Sequence, residues 1–209
     1  MLVPFAERPI VLFEAGLNNA GDVVGSVVVD EVDTGEGVYA VTHAFKWSAA
    51  TLQAVDLGTL PGTESSHAYD INDAGQIVGD SDGQPFVWDP VAGVMTALDI
   101  PVNPGEISLM RINNAGLILG STAVWDLKAD ALVSTGPGIV AYDLNDAGLV
   151  AAILTDSCPT CEGITWDPFT GTTTVLEAAA FNPLAINNNS DVVGTSNARA
   201  TLWTPKPQP

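Results

Sequence analysis

Two cysteines are the residues whose types and spacing most readily suggest chemistry. Cys158 and Cys161 stand three positions apart, which is the spacing of a redox pair or of half a zinc site. A redox pair of this kind opens a helix in an α/β unit, and the surrounding sequence predicts no such unit. A zinc site needs four ligands, and the two histidines, His43 and His67, lie far away in sequence. We therefore expect a local disulfide, with free thiols as the alternative, and no metal or redox site.

Three carboxylates at matching points of the chain suggest a second chemistry, glycoside hydrolysis. Glu14, Asp70 and Asp143 fall on corresponding predicted strands, where Arg111 takes the place of a fourth acid. An acid–base pair needs two carboxylates at a defined separation, with pKa values pushed apart. The sequence does not bring these residues together, so we interpret them as solvated or turn-bonded acids. Motifs for a serine nucleophile, a phosphate loop or a His-Glu metal site are absent, and we predict no enzyme activity and no cofactor.

The acids around Asp70 could also suggest a calcium loop. Such a loop needs acids at alternate positions and a distal Glu, but Gln76 and apolar residues follow Gly75. We interpret residues 70–75 as a hairpin turn in which Asn72 caps the backbone.

Composition limits the classes of partner. The chain has 209 residues, with 6 basic and 25 acidic side chains and a formal net charge of −19. Nucleic acid is excluded as the main partner, because a phosphate backbone is bound by clustered Lys and Arg. An anionic membrane surface is disfavoured for the same reason. With 46% hydrophobic residues the chain can bury the core of one folded domain.

Two markers recur along the chain with a period of about 40 residues, which indicates a structural repeat. The first marker is Trp, at Trp47, Trp88, Trp125, Trp166 and Trp203. The second is an aliphatic-Asn pair before a turn, beginning at Leu17-Asn18, Ile71-Asn72, Ile112-Asn113, Leu144-Asn145 and Ile186-Asn187. The apolar runs that follow end in Gly25, Gly79, Gly120, Ala151 and Gly194, so we expect the fourth copy to differ by one alanine.

One repeat contains four predicted strands. These strands cover residues 68–72, 76–79, 84–88 and 94–98, and Gly75 supplies the positive φ that the first hairpin needs. No stretch has a sustained helical period with caps. Four antiparallel strands repeated five times predict a β-propeller, with a solenoid of stacked repeats as the alternative.

The two ends of the chain favour a closed ring. The last repeat reaches only a third strand at Trp203, and a spare strand lies at Leu2, Val3, Pro4 and Phe5. We therefore predict an all-β, five-bladed β-propeller over residues 1–204, in which this N-terminal strand closes the last blade. Closure of this kind removes open sheet edges. Residues 205–209 read as a Pro-rich tail.

A resemblance to a known family rests on the segment His43-Ala44-Phe45-Lys46-Trp47. It continues with Val-Asp-Leu-Gly-Thr-Leu-Pro-Gly over residues 55–62 and with Ala-Tyr-Asp-Ile-Asn-Asp-Ala-Gly-Gln-Ile-Val-Gly over residues 68–79. Across residues 43–79 the chain resembles the HAF repeat proteins, and the other repeats keep only the Asn-Gly and Trp markers. The resemblance implies an extracellular or surface-exposed bacterial or archaeal repeat protein, and it implies no activity or catalytic residue.

These observations predict a non-enzymatic structural or interaction module outside the cell. Leu2–Phe5 could complete the open blade of its own ring or of a neighbouring molecule, and the second arrangement would build a polymer. The partner would then be the protein itself. The alternative is a multivalent carbohydrate-binding module, in which the five Trp side chains stack on surface glycans instead of packing in the core. A glycosidase is the third possibility. The first residues do not resemble an export signal, so we expect a processed form or another export route.

Overall fold

A computed structural model of the protein describes residues 10–100, 110–136, 138–155, 162–176 and 181–205. Of these, the side chains of residues 10–15 and 181 are not described. Every regular element in these ranges is a β-strand, as the sequence predicts. Within the same ranges, no helix is long and apolar enough to cross a membrane.

The described residues form nineteen strands. They are β1 Ile10–Leu17, β2 Val23–Asp33, β3 Val38–Ser48, β4 Gln53–Gly58, β5 Ser66–Ile71, β6 Ile77–Ser81, β7 Gln84–Asp89, β8 Val94–Ala97, β9 Arg111–Ile112, β10 Leu117–Leu119, β11 Ala123–Asp126, β12 Ala131–Thr135, β13 Ile139–Leu144, β14 Val150–Leu154, β15 Glu162–Trp166, β16 Thr173–Val175, β17 Phe181–Ile186, β18 Val192–Ser196 and β19 Arg199–Trp203.

The strands pair in sequence order into five antiparallel sheets. Four sheets have four strands each, β1 to β4, β5 to β8, β9 to β12 and β13 to β16, and the last consists of β17, β18 and β19. The chain divides into two compact units, of which the first holds the first two sheets and the second holds the other three. The sequence-based prediction of one domain over residues 1–204 stays a prediction.

The strand register explains both sequence markers. In four sheets the Trp of the third strand pairs with the first residue of the second strand, as Ile77 pairs with Trp88 and Val192 with Trp203. In the third sheet Trp125 pairs one residue later, with Ile118. The four strands predicted for the second sheet are confirmed, with ends shifted by one or two residues.

The register corrects one detail of the repeat. Gly79 pairs with Ala68, one step beyond a β-bulge, and in the fourth sheet Ala152 holds the equivalent position opposite Ala141. The sequence-based alignment had placed Ala151 there. Ala151 pairs instead with Asp143, as Val78 pairs with Asp70. The alignment was one residue out because the run in this copy, Leu149 to Ala152, contains two adjacent alanines.

The cores lie between neighbouring sheets of one unit. In the first unit, Val24 and Ala44 of the first sheet pack with Ile77 and Phe86 of the second, all with no exposed surface. In the second unit, two clusters join the third sheet to the fourth and the fourth to the fifth. Burial of such apolar side chains contributes roughly 1.5–3 kcal/mol each, so each sheet depends on its neighbour for stability.

Candidate functional site

The recurring Asn shapes the turn between the first two strands of each sheet. In the second sheet, Asn72 Oδ1 accepts a hydrogen bond from the Gln76 backbone N–H at 3.0 Å. The N–H of Gly75 donates to the carbonyl of Asn72, and Gly75 has a φ of 81°. This geometry confirms the predicted Asn-capped hairpin. The same cap forms in the other four sheets, at Asn18, Asn113, Asn145 and Asn187.

The other end of the same side chain connects neighbouring sheets. Asn18 Nδ2 donates to the carbonyl of Asn72 at 3.3 Å, so the first sheet is bonded to the second. In the second unit, Asn113 Nδ2 donates to the carbonyl of Asn145 at 2.9 Å, and Asn145 Nδ2 donates to the carbonyl of Asn187 at 3.2 Å. The amide thus supplies an acceptor to its own turn and a donor to the next one, a role that an ionised Asp, which only accepts, could not fill.

The residue after this Asn adds a second row of bonds. Asp73 accepts hydrogen bonds from both the backbone N–H and the side chain of Asn19, at 2.8 and 2.7 Å. Asp146 accepts from the side chains of Asn114 and Asn188 at 3.2 and 2.7 Å. Asn and Asp alternate along this row, so each amide faces a carboxylate. The acids of the turns therefore serve to join sheets, and calcium is not needed to explain them.

The recurring Trp side chains lie mostly in the cores. Trp166 is 3% exposed and belongs to the main cluster of the second unit, and Trp88 and Trp203 pack against other clusters while half-buried. For these three residues the packing interpretation is confirmed. The Trp125 Nε1–H is buried without a hydrogen-bond partner among the described residues.

Each residue of the His43-Ala44-Phe45-Lys46-Trp47 segment has a structural contact in the first unit. His43 Nδ1 lies 3.0 Å from both carboxylate oxygens of Asp56, and Lys46 Nζ lies 2.8 Å from Asp22 Oδ2. The N–H of Ala44 donates to Ser66 Oγ, and Phe45 is buried. The Lys46 ammonium lowers the pKa of Asp22 by hydrogen bonding.

His67 lies in a polar cluster that sequence reasoning missed. Its Nε2 is 2.9 Å from Thr42 Oγ1 of β3, and its Nδ1 is 3.6 Å from Asp80 Oδ1 of β6. Tyr69 stacks on the His67 ring and donates its hydroxyl proton to Asp80 Oδ1. No sequence motif indicates this cluster, because Thr42 reaches it from a different sheet.

The cluster has the order hydroxyl, imidazole and carboxylate that nucleophilic catalysis uses. However, the separation of His67 Nδ1 from Asp80 Oδ1 exceeds hydrogen-bond length, and Asp80 already accepts hydrogen bonds from the Tyr69 hydroxyl and the Gly83 N–H. The backbone N–H of Thr42 donates to Ser65 Oγ and is not directed at an open oxyanion position. Burial alone would raise the pKa of Asp80, but the neighbouring His67 ring and the hydrogen bonds from Tyr69 and Gly83 lower it overall. The arrangement therefore supports a structural link between two sheets.

The three carboxylates considered as a glycosidase site each have their own environment. Asp143 belongs to the second unit, where its Oδ2 accepts from the Ile186 N–H at 2.8 Å. Its burial raises its pKa, although the Ile186 and Leu144 N–H groups and the charge of Arg111 oppose the rise. Asp70 belongs to the first unit, and its Oδ1 accepts from the Ile71 N–H. The side chain of Glu14 is outside the described part of the structure.

Several predicted residues lie outside the described residues. They are Leu2, Val3, Pro4 and Phe5 of the predicted closing strand, Cys158 and Cys161 of the predicted disulfide, and residues 206–209 of the predicted tail. Within the described residues, no group of three or more His, Cys, Asp or Glu side chains could hold a metal ion.

The last sheet has three strands among the described residues, and β19 lies at its edge. In the second, third and fourth sheets, the carbonyl three residues before the Trp accepts a backbone hydrogen bond on the side of the fourth strand. For example, the Leu98 N–H donates to the Pro85 carbonyl, and the Leu176 N–H donates to the Gly163 carbonyl. In β19 the corresponding carbonyl is that of Ala200, and no described strand lies along that side. Leu202 of the same strand is 62% exposed. Among the described residues, β19 therefore has no partner on the side where the other sheets carry a fourth strand.

Solved structures share this architecture at low sequence identity. The chain is similar to TolB from Acinetobacter baumannii, with a TM-score of 0.50 and 11% identity over 96% of this chain and 55% of that one. It is similar to dipeptidyl peptidase 4 from Porphyromonas gingivalis, with a TM-score of 0.55 and 11% identity over 87% of this chain and 33% of that one. The extracellular domain of the hybrid two-component system BT4673 from B. thetaiotaomicron gives a TM-score of 0.56 and 10% identity, over 97% of this chain and 28% of that one.

These structures are distant β-propeller-type folds, and at such identities the likeness extends to the fold alone. The fold is of the β-propeller type. The chain spans about half of the TolB chain and about a third or less of the other two. No family model matches the chain, and no curated protein matches its sequence, so the resemblance to the HAF repeat proteins stays a prediction.

Proposed function

We propose that the protein is a non-enzymatic structural or interaction module that assembles through strand completion. In this proposal each of the five sheets is one propeller blade. The strand Leu2–Phe5 supplies the missing fourth strand to β19, either within its own chain or in a neighbouring molecule. The second arrangement joins one copy to the next and builds a polymer.

The observation that carries the proposal is the edge of β19, which no strand of the described residues pairs with. The four other sheets have a fourth strand of three to six residues, and Leu2–Phe5 has a matching length. Unpaired backbone groups and the exposed Leu202 make β19 a template for another strand. A strand donated in this way gains main-chain hydrogen bonds with few specific side-chain contacts.

The remaining features support an extracellular role. One structural relative, from BT4673, is described as an extracellular domain, and the resemblance to HAF repeat proteins implies a surface location. The inter-sheet bonds of the Asn and Asp side chains favour a rigid scaffold, since they fix one sheet against the next. The partner in this proposal is a second copy of the protein.

The test is a deletion of residues 1–6, followed by measurement of particle size. We expect assemblies of the intact protein to disappear in the deletion variant, while far-UV circular dichroism still shows β-structure. Assemblies of unchanged size in the deletion variant would contradict the proposal.

A matched pair of variants tests the acceptor edge itself. Leu202→Pro removes a backbone donor from β19, whereas Leu202→Ser keeps the donor and changes only the side chain. We expect assembly to be lost in Leu202→Pro and kept in Leu202→Ser. Equal assembly of both variants would exclude β19 as the acceptor strand.

A further inference from the structure

The hairpin of β2 and β3 extends well beyond the first sheet. Both strands have eleven residues, and among the described residues β1 pairs with β2 as far as Val27, opposite Ile10, while β4 pairs with β3 only from Ala44 onward. Within the described part of the chain, residues 30–41 form a two-stranded ribbon, which we call the arm. Almost all of its side chains are exposed. A two-stranded ribbon is only marginally stable in water without a further strand or packing partner.

The β3 side of the arm has an open edge with a defined end. The N–H groups of Ala44 and Thr42 point away from β2 and donate to the hydroxyls of Ser66 and Ser65. Ala40 and Val38 lie two and four residues earlier, so their backbone groups point to the same side. Among the described residues no strand or hydroxyl lies beside them. Among the described residues, the outer edge of β3 is thus hydrogen-bonded to Ser65 and Ser66 at the base of the arm and has no backbone partner along the arm.

The two faces of the arm differ in chemistry. Glu31 and Asp33 pair with Ala40 and Val38, which places two carboxylates on one face. The opposite face carries Val32 and Tyr39 as another pair, and Tyr39 is 45% exposed. A strand added along β3 would place its alternate side chains on these two faces.

The negative charge of the arm indicates which kind of partner could bind to it. The arm contains Asp30, Glu31, Asp33 and Glu36, and the sequence has no Lys or Arg between Arg8 and Lys46. Glu64 adds a further carboxylate at the edge, where Oε2 lies 3.5 Å from the Tyr39 hydroxyl. A second copy of this chain would bring more negative charge, because its net charge is −19. We propose that the arm binds an extended, basic segment of another protein, with Lys or Arg alternating with apolar residues, as an added strand along β3.

This site is separate from the strand exchange proposed for β19, and its test uses the full chain. The probe is a fluorescein-labelled peptide of alternating Lys and Val, seven residues long, with an alternating Glu and Val peptide as its comparison. Fluorescence anisotropy measures the dissociation constant of each. We expect the Lys peptide to bind and the Glu peptide to bind at least ten-fold more weakly, because only the Lys peptide complements the charge of the arm.

Backbone pairing is tested by Ala40→Pro against Ala40→Ser. Proline removes an outward N–H and leaves the hydrogen bonds between β2 and β3 in place, so we expect at least a ten-fold loss of affinity in Ala40→Pro alone. If Ala40→Pro does not fold, a Lys peptide with alternate backbone amides N-methylated replaces it, and the same loss is expected. Equal binding of Ala40→Pro, or of the methylated peptide, would overturn the proposal.

Charge recognition is tested by two double variants that change the net charge equally. Glu31→Gln with Asp33→Asn neutralises the arm, and Asp99→Asn with Asp130→Asn neutralises exposed acids elsewhere. We expect a several-fold loss of peptide affinity for the first pair only. An equal loss for both pairs would show non-specific attraction and contradict the site. A dimer that Ala40→Pro abolishes would instead identify a second copy as the occupant and would also overturn the proposal.

Discussion

Three of the turn asparagines, Asn18, Asn113 and Asn145, contribute to stability at two points, since each caps its own turn and donates to the next one. Asn145 shows this most completely. Its Oδ1 accepts from Ala147 and Leu149, and its Nδ2 donates to the Asn187 carbonyl and to Ser190 Oγ. The residue is 3% exposed, so water cannot replace these partners.

Replacement of this side chain should be costly. We expect Asn145→Ala to lower the free energy of unfolding by about 2–4 kcal/mol, since each buried polar group left unsatisfied costs about 1–3 kcal/mol. Urea denaturation measures the change, with the exposed Asn189→Ala as the control. Equal urea midpoints for the two variants would show that the inter-sheet bonds do not contribute.

The ion pair of Lys46 and Asp22 should make stability depend on pH. The pKa of Asp22 is lowered in the folded protein, so the pair stabilises the fold above the ordinary value of 3.8. This stabilisation is lost as the pH falls through the lowered pKa. We expect Lys46→Met to lower stability at pH 7 by roughly 1–3 kcal/mol, the cost of a buried polar group without its partner. Thermal unfolding at pH 7 and pH 2.5 checks this, and a loss of equal size at both values would contradict it.

We expect Asp143 to change stability with pH in the opposite direction. Burial raises its pKa above the ordinary value of 3.8, so the ionised carboxylate is disfavoured in the folded protein, and stability falls as the pH rises through the raised pKa. Asn keeps an acceptor for the Ile186 N–H and carries no charge. We expect Asp143→Asn to unfold at a higher temperature than the parent at pH 7 and at the same temperature at pH 2.5. A lower melting temperature at pH 7 would show that the charge of Arg111 outweighs the burial.

Among the strands, the glycine at the end of the second-strand run marks a close approach to the bulged first strand. A Cβ on Gly79 would lie 1.9 Å from the carbonyl oxygen of His67 and 2.8 Å from a ring carbon of Phe86. The fourth sheet carries Ala152 at the same register position and tolerates the methyl group.

This difference between sheets gives a matched test. We expect Gly79→Ala to destabilise the protein by about 1–3 kcal/mol, the usual cost of overpacking. We expect Ala152→Gly to cost only about 0.5–1 kcal/mol, through added backbone freedom. Chemical denaturation measures the loss of stability in each variant. A smaller loss for Gly79→Ala than for Ala152→Gly would contradict the geometry.

The strands were predictable because their signals are local. The Trp marker recurs about every 40 residues, each repeat has a counterpart of Asn72, and the turn chemistry of Asn72 and Gly75 is visible within five residues. The contact of Thr42 with His67 was not predictable, since it joins two sheets through side chains that share no motif. The hydrogen bonds that Asn18, Asn113 and Asn145 donate to the next turn were not predictable for the same reason, because each acceptor lies one repeat away. The fourth-repeat alignment failed at Ala151, where two alanines stand together and only the strand register separates them.

For the molecule as a whole, the central claim is that β19 is completed by a strand. Its edge is open among the described residues, and its neighbours in the sequence of sheets all carry a fourth strand. The net charge of −19 opposes non-specific association of copies, so any ordered assembly must come from a specific contact. Strand donation between copies supplies such a contact.

The most direct measurement is particle size over a dilution series, by light scattering with negative-stain electron microscopy. The proposal of exchange between copies predicts filaments or large defined assemblies that persist on dilution. It also predicts that these assemblies are absent when residues 1–6 are deleted. A compact monomer of 21.6 kDa at every concentration would contradict assembly through β19.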